Sequence, residues 1–516
     1  MSTLDERVAE RAAHHLPLAT QLLREAVRVP ADHVDRALEK GGDPACGQSN
    51  HERPRLDYLR RTVIEVGAVR RPEDVRFDDY GNLVWQVEDP GDRVPAQEKR
   101  VIFLDGHVDT VAALRSQWPE RLGDGIDAFR GVVDMGRVDR AALRDRLGYL
   151  PPDDQWQHLL FGRGSADQLG GVVAQVVACK ILLELQDQGA LRGAIVRAFA
   201  TATEEDNEGA GPAHVMARTL ASGRPEEIPD VVVLTEGTGD ARHGALGIYR
   251  GQRGRMQIEV AITGRSCHGS MPWEGLNPLE HGGAILAEAA RCYDRRDGFR
   301  DHPFLGHGTR TASLARVETP SDCAVPERLI FRLDRRLTVG ETPEQALADV
   351  DALETVRLAR AAGLRVEVTV PRYREKTWRG FAVDNPQIYP SWLTPEDHPA
   401  VETLVRAYRA VVTPQVEEPT AGAEGGALRR EPRVGRWIFS TDGVGFPMPA
   451  ESADAVPERK GWVVSGPARH PAMVGIGPGI EQNTHKIGEC VDLRELRHAI
   501  AVLSRFPSQY VAGAER

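Results

Sequence analysis

The sequence predicts an α/β protein: a mixed, largely parallel sheet flanked by helices, interrupted by a small ferredoxin-like α+β sandwich. Three observations carry that expectation. Short apolar runs without a polar break, such as Val101–Leu104 and Val231–Leu234, alternate with helical stretches, the pattern of buried strands joined by helices. Three strand ends, near 107, 204 and 236, each deliver an acid or an imidazole, and strand ends of an open α/β sheet are where ligands bind. From Gly254 the rhythm changes to β-α-β-β-α-β, the order of a ferredoxin-like unit.

In chain order, residues 3–28 are rich in Ala, Leu, Glu and Arg and read as a helix, and 30–52 as a loop bearing Pro, Gly and Asp. A second helix fits 54–68, where Leu56, Leu59, Val63 and Val66 recur at three- or four-residue steps. Short strands at 75–77 and 82–87 precede the run Val101 to Asp109. There Asp-Gly turns the chain and places His107 and Asp109 two apart, on one side of an extended segment. Such a pair suits a metal-bound imidazole whose other nitrogen donates to an acid, and a buried His–Asp pair without metal has the same letters.

The stretch 112–158, with one helical segment at 139–147, reads as an insertion near the site; a lid and a solvated excursion both fit it. Glycines then flank Asp167, and a helix fits 170–187. A strand over 194–203 ends in Glu204-Glu205-Asp206, and another over 231–234 in Thr235-Glu236-Gly237. The inserted unit has strands at 254–263, 309–317, 328–334 and 364–370, with helices at 277–291 and 343–361. The α/β pattern returns afterwards, and 412–435 and 447–471 read as mobile loops. The expected division is 1–250 and 372–516 for the main domain and 251–371 for the insert.

A formal net charge of −11 over 516 residues leaves no basic excess to meet phosphate, which argues against a nucleic-acid binder. The six cysteines, Cys46, Cys179, Cys267, Cys292, Cys323 and Cys490, are scattered without a CxxC pair and read as reduced thiols. The charged N-terminus lacks an apolar h-region, and no segment reads as long and apolar enough to span a bilayer. The expectation is a cytoplasmic protein without a membrane partner.

The chemistry lies in His107, Asp167, Glu204, Glu205, Glu236 and His485, residues isolated in sequence but placed at strand ends or glycine-rich turns. Histidine and carboxylate donors suit zinc, with cobalt or manganese as alternatives. One histidine and one acid per ion, with a shared carboxylate, would hold two ions about 3.5–4 Å apart. A free carboxylate beside them can move a proton from water to a leaving nitrogen.

These residues sit in Gly-His-Val-Asp-Thr (106–110), Gly-Arg-Gly-Ser-Ala-Asp-Gln-Leu-Gly-Gly (162–171), Thr-Glu-Glu-Asp (203–206), Thr-Glu-Gly (235–237) and Ser-Cys-His-Gly-Ser-Met-Pro (266–272). A Gly-Pro-Gly (477–479) precedes His485 and Glu489. In that order the motifs resemble the M20 metallopeptidases, the aminoacylase and carboxypeptidase-G2-like amidohydrolases. Arg253-Gly-Arg, Cys323-Ala-Val-Pro, Leu333-Asp-Arg-Arg-Leu and Phe439-Ser-Thr-Asp-Gly look closest to the subgroup labelled selenium-dependent hydrolases. The resemblance implies that the insert is a lid/dimerisation domain and that the protein is a homodimer. It also implies that His107 and Glu236 bind one metal, Glu205 and His485 the other, and that Asp167 bridges them through a turn with a cis peptide after it. Asp109 would orient His107, and Glu204 would be the general base and acid. The family often has Asp where this chain has Glu236.

His268 fits the pattern of a lid histidine that steadies the oxyanion in the partner subunit's site, or is a plain surface residue. Arg336 and Asn277 resemble residues that hold a substrate carboxylate, with Arg335 as an alternative fork. Gly479 offers backbone contacts to substrate or is a structural turn. The implied activity is a dinuclear zinc hydrolase of an amide next to a free carboxylate: an N-acyl or N-carbamoyl amino acid, or a short peptide. The alternatives are a deacylase of an acetyl or succinyl diamino acid, an aminopeptidase with a similar metal core, and an inactive metal-stabilised scaffold.

Overall fold

The computed structural model describes residues 3–29, 51–131, 137–417, 426–454, 456–466 and 468–514. Cys46 and parts of the stretches 30–52, 112–158 and 412–435 lie outside them; the remaining five cysteines are free thiols. The N-terminal helical stretch is two helices, Leu4–His14 and Leu16–Arg28. Pro17 in the first turn of the second helix accounts for the break, because proline suits a helix start and not its interior.

The strands of the main sheet up to the insert are β1 (Val75–Phe77), β2 (Leu83–Glu88), β3 (Arg100–His107), β4 (Ala194–Thr201), β5 (Val231–Leu234) and β6 (Ile248–Gln252). The insert contributes β7 (Gly254–Thr263), β8 (Thr309–Glu318), β9 (Arg328–Leu337) and β10 (Arg365–Thr369). The chain then returns through β11 (Trp392–Leu393), β12 (Val434–Trp437) and β13 (Ala472–Gly475). The main sheet runs β1-β2-β4-β3-β5-β13-β6-β11, with β12 on β6. Its heart, β4-β3-β5-β13, is parallel, and the flanking pairs are antiparallel apart from β12.

The parallel strands carry apolar residues on both faces, so both faces are covered. On one side Gly170–Glu184, Pro399–Val411 and Leu493–Ala514 pack with the N-terminal helices over Ile102, Leu104, Val196 and Val233. On the other, Val215 and Met216 of Ala210–Ala221 and the aromatic Trp392, Trp437, Phe446 and Trp462 cover Val101, Phe103 and Phe199. The stretch Ser165–Glu184 is, by length and composition, apolar enough to cross a membrane, contrary to expectation. It is 89% buried inside the protein and serves as a central core helix.

The insert is the expected sandwich, ordered β8-β9-β7-β10, with helices Pro278–Asp294, Pro343–Asp351 and Glu354–Ala361 over its apolar face. The strict alternation of burial along β9 is that of a half-exposed antiparallel strand. The single helix expected at 343–361 is two, divided around Leu353. The loop expected at 447–471 contains three short paired strands, Met448–Pro449, Val463–Ser465 and Ala468–His470. It is anchored by Lys460 Nζ, 2.8 Å from Asp230 Oδ2, and by Trp462 Nε1, which donates to the Pro229 carbonyl at 3.0 Å.

The stretch 112–158 contributes no described residue to the lining of the cavity at the site. Among its described residues are helices Gln117–Leu122 and Arg140–Leu147 around a separate apolar cluster centred on Trp118 and Trp156.

Candidate metal centre

Three adjacent parallel strands deliver the site. His107 ends β3 opposite Thr201 of β4, and Asp105, one pleat earlier, lies opposite Leu234 at the end of β5. Beyond β4 the chain turns sharply: Thr203 has φ 68°, a left-handed conformation costly for a β-branched residue. Neighbours hold it there. Glu52 Oε1 accepts from Thr203 N–H at 3.1 Å, Asn82 Oδ1 accepts from Ala202 N–H at 3.1 Å, and the Tyr80 and Thr203 hydroxyls meet. The Asp109 carboxylate accepts from Glu204 N–H at 3.2 Å and from Glu205 N–H at 3.0 Å. Asp109 therefore fixes the turn that aims both glutamates, a contact its place in the sequence does not reveal.

Asp167 faces two imidazoles with its two oxygens: Oδ1 lies 2.9 Å from His107 Nε2 and Oδ2 lies 3.1 Å from His485 Nε2. His485, at φ 61°, also has its Nε2 3.1 Å from Glu205 Oε2. His107 Nε2 lies 3.6 Å from Glu236 Oε2 and 3.8 Å from Glu204 Oε2. Donor atoms of His107, Asp167 and Glu236 lie within 4.8 Å of one another, as do those of Asp167, Glu205 and His485 and those of His107, Glu204 and Glu205. His107 Nδ1 is 3.1 Å from the Asp109 carbonyl oxygen, so Nδ1–H donates and Nε2 is the lone-pair nitrogen in the neutral ring. The Asp167–Gln168 peptide is cis, and Gln168 Nε2 donates to Glu236 Oε2.

Behind Asp167 stands a support that the sequence reading did not assign. Glu489 Oε1 accepts from the N–H groups of Ala166 and Asp167 at 3.0 and 3.1 Å, and Glu489 Oε2 pairs with Arg163 Nη1 at 2.6 Å. A second unassigned feature is the buried acid pair Asp105 and Asp442. Asp442 accepts from Thr201 Oγ1 and from Gly209 N–H, whereas both carboxylate oxygens of Asp105 lack hydrogen-bond partners. Asp105 lies two residues before His107, which is the one signal the sequence offers for it.

The electrostatics follow from four acids and two imidazoles in one place. Burial pushes the Glu204 carboxyl well above its ordinary range, and Glu205, Asp442 and Glu208 add to this against the pull of His107. Burial with Asp167 alongside raises Glu236 to about 7. Burial alone would keep His107 neutral, but Glu204 and the bonds to Asp109, Asp167 and Glu236 raise its pKa well above the ordinary value. Asp167 is held down by both histidines although burial opposes it. Burial and Asp442 raise Asp105 strongly, and burial raises Asp442 to about 6. An acid cluster this crowded and dry is the environment that divalent cations stabilise, and its nitrogen and oxygen donors fit zinc, cobalt or manganese.

A cavity of about 410 Å³ opens over these donors. Its far wall comes from the insert (Arg255, Gln257, Arg332, Asp334 and Arg336) and the returning chain (Phe439 and Ser440), with Glu208 from the segment after β4. Arg336 Nε donates to Asp334 Oδ1 at 2.8 Å and its Nη1 to Ser440 Oγ at 3.1 Å, while Arg335 faces away to pair with Glu341 at 2.8 Å. Arg255 pairs with Glu208 and with Asp334, and Arg332 with Glu259. Three expected residues lie outside the cavity. His268 is exposed on the insert, with Nδ1 2.7 Å from Ser270 Oγ. Asn277 caps a helix by accepting from Leu279 N–H at 3.0 Å, the task its N-terminal position gives it. Gly479 N–H donates to Glu495 Oε2 at 2.9 Å, and its backbone packs against Ala166 behind the Asp167 turn.

This fold and site define an α/β protein with an inserted α+β unit and a candidate metal centre at its strand ends. Residues 250–355 match the M20 peptidase dimerisation domain. The chain is 28% identical to the uncharacterized protein YgeY of Escherichia coli (strain K12) over 98% of this chain and 97% of that one. It is 34% identical to succinyl-diaminopimelate desuccinylase of Gluconobacter oxydans over 33% of this chain and 42% of that protein. The M20 family metallo-carboxypeptidase Sso-CP2 of Sulfolobus solfataricus shares the fold, with a TM-score of 0.60 at 14% identity over 96% and 99% of the two chains. The chain therefore carries an M20 peptidase dimerisation domain in its insert and shares the fold of an M20 metallo-carboxypeptidase.

Proposed function

We propose that the protein hydrolyses an amide bond next to a free carboxylate, in an N-acyl or N-carbamoyl amino acid or a short peptide. The observation that carries this reading is the Asp167 carboxylate, one oxygen toward each of two histidines, with Glu204 standing beside them. His107 and Glu236 would hold one divalent cation and Glu205 and His485 the other, with Asp167 shared. Zinc is the first choice, with cobalt or manganese as alternatives. Such a pair supplies a water of low pKa and polarises the scissile carbonyl.

The remaining work falls to the chain's own groups. Glu204 takes the proton of the attacking water on its carboxylate and returns it to the leaving nitrogen. Asp109 holds the Glu204 and Glu205 backbone in place and receives the His107 ring N–H on its carbonyl. Arg336 faces the cavity as the fork for the substrate carboxylate. His268 of the partner subunit would donate to the oxyanion, in a homodimer formed through the insert. The main-domain limits 1–250 and 372–516 around 251–371, the cytoplasmic location and the selenium-dependent subgroup belong to the same proposal.

The succinyl-diamino-acid reading is the less favoured one. Arg255, Arg332 and Arg336 each already meet a carboxylate, so among the described residues the cavity wall offers a second anionic group no cation beyond the Arg336 fork. A panel of N-acetyl, N-carbamoyl and N-succinyl amino acids and dipeptides, assayed with zinc, cobalt and manganese, tests the proposal. Turnover of monoanionic amides, lost in Glu204→Gln while metal content is kept, is the expected result. Preference for N-succinyl substrates would overturn the substrate class, and metal retained without any turnover would favour the scaffold.

A further inference from the structure

We propose that residues 112–131 and 137–158 form a platform that positions His485, and that it thereby sets the occupancy of one cation position and not the other. The inference rests on reading His107 and His485 as ligands of two separate cations. Twelve of the fourteen buried residues in the Trp118–Trp156 cluster lie between Ala113 and Phe161; the other two, Ile487 and Cys490, belong to the His485 loop. The cluster is completed by the segment that carries the histidine.

Polar ties repeat the contact. Tyr149 OH donates to Asn483 Oδ1 at 2.6 Å, and Asn483 Nδ2 in turn donates to the Cys490 carbonyl at 2.7 Å. Lys486 Nζ donates to the Leu147 carbonyl at 2.9 Å. Leu159–Phe161, which closes the stretch, pairs antiparallel with Cys490–Asp492 just past the loop. Gly488, at φ 92°, lies so close to Leu143 that an added Cβ would come within 2.4 Å of Leu143 Cδ1.

His485 itself is poorly held. Its side chain is 55% exposed, and the polar partners of its ring are Asp167 and Glu205, themselves candidate ligands. Its position is therefore inherited from the loop on either side, and the loop stands on the 112–158 cluster. His107, by contrast, is buried at the end of β3 and fixed by Asp109. Loosening the platform should release the ion at His485 and spare the one at His107. Groups that orient a metal ligand typically change affinity by about 10–100-fold.

The test uses the full chain loaded with zinc alone and titrated with a chelator, bound zinc being counted by elemental analysis at each step. His485→Ala and His107→Ala identify which equivalent belongs to which histidine. In a Tyr149→Phe/Lys486→Met variant the His485 equivalent is expected to leave at about tenfold lower free chelator, with the His107 equivalent unmoved. Gly488→Ala, which pushes the loop off Leu143 without touching a polar tie, is expected to do the same. Both equivalents shifting together, or neither shifting in either variant, overturns the proposal. If His485→Ala binds as much zinc as the unaltered protein, the reading of His485 as a ligand fails and the platform falls with it; a loss of one equivalent in that variant keeps the two failures distinct.

Discussion

The Asp109 carboxylate accepts both amides of the turn that aims Glu204 and Glu205, and the same residue's carbonyl takes the His107 ring N–H. Replacing its carboxylate strands both of those donors, one of them the amide of the candidate ligand Glu205, while the carbonyl that takes the ring N–H remains. Asp109→Ala is expected to weaken zinc binding by about 10–100-fold, read by chelator competition. Glu204→Gln is expected to keep its zinc and lower kcat by about 10²–10⁴-fold, the usual contribution of a positioned proton-transfer group. A buried histidine that ligates nothing in this reading, His470, contributes to acid stability. Burial holds the His470 ring at about 4, against 6.5 in an exposed chain. Between those values the unfolded chain binds a proton that the folded protein refuses, so stability is full above pH 6.5 and falls as the pH drops toward 4. Between pH 7 and pH 4 the natural protein is expected to lose about 3 kcal/mol more than His470→Gln, measured by denaturant unfolding.

Among the elements, the turn 162–169 depends on a residue more than three hundred positions away. Arg163 and Glu489 form a buried pair whose carboxylate also receives the Ala166 and Asp167 amides. Arg163→Met leaves Glu489 charged and unpartnered by a cation, and is expected to cost about 3–5 kcal/mol in denaturant unfolding. This element also shows where the sequence was legible. Glycines around an isolated Asp167, followed by an apolar helical run, point to a ligand at a helix start, and the ends of β3, β4 and β5 are readable from uninterrupted apolar runs. Glu489 carries no such mark, because its meaning comes from contact with a distant turn. Asp442 is equally silent, being a buried acid whose neighbours arrive from three separate stretches. The 447–471 segment reads as loose by its Gly, Pro and charge, whereas in the fold Lys460 and Trp462 pin it to the end of the loop before β5. Asn277 and Gly479 were assigned by motif position, and their backbone tasks as helix cap and close-packed turn need coordinates to be seen.

At the scale of the molecule, the cavity holds the base but not His268, which stays on the outer surface of the insert. If that histidine serves the partner's cavity, Glu204→Gln and His268→Ala proteins are each inactive alone. Mixed and reassociated, they should regain roughly a quarter of the natural activity, since half of the dimers are hybrid and each has one intact site. Recovery is read as turnover after subunit exchange; none at all would place His268 outside the reaction. β8 extends the argument. It is an outer strand of its sheet, and at the irregularity between Ala312 and Leu314 it also lends Ser313 and Leu314 to the cavity wall. A molecule lodged in the hollow touches Ser313 and Leu314, and a chain laid along the outer margin would run beside the same ten-residue strand. Any coupling through that strand is reciprocal: a ligand that favours the assembled form binds that form more tightly, and dilution then lowers affinity for ligand along with the fraction assembled.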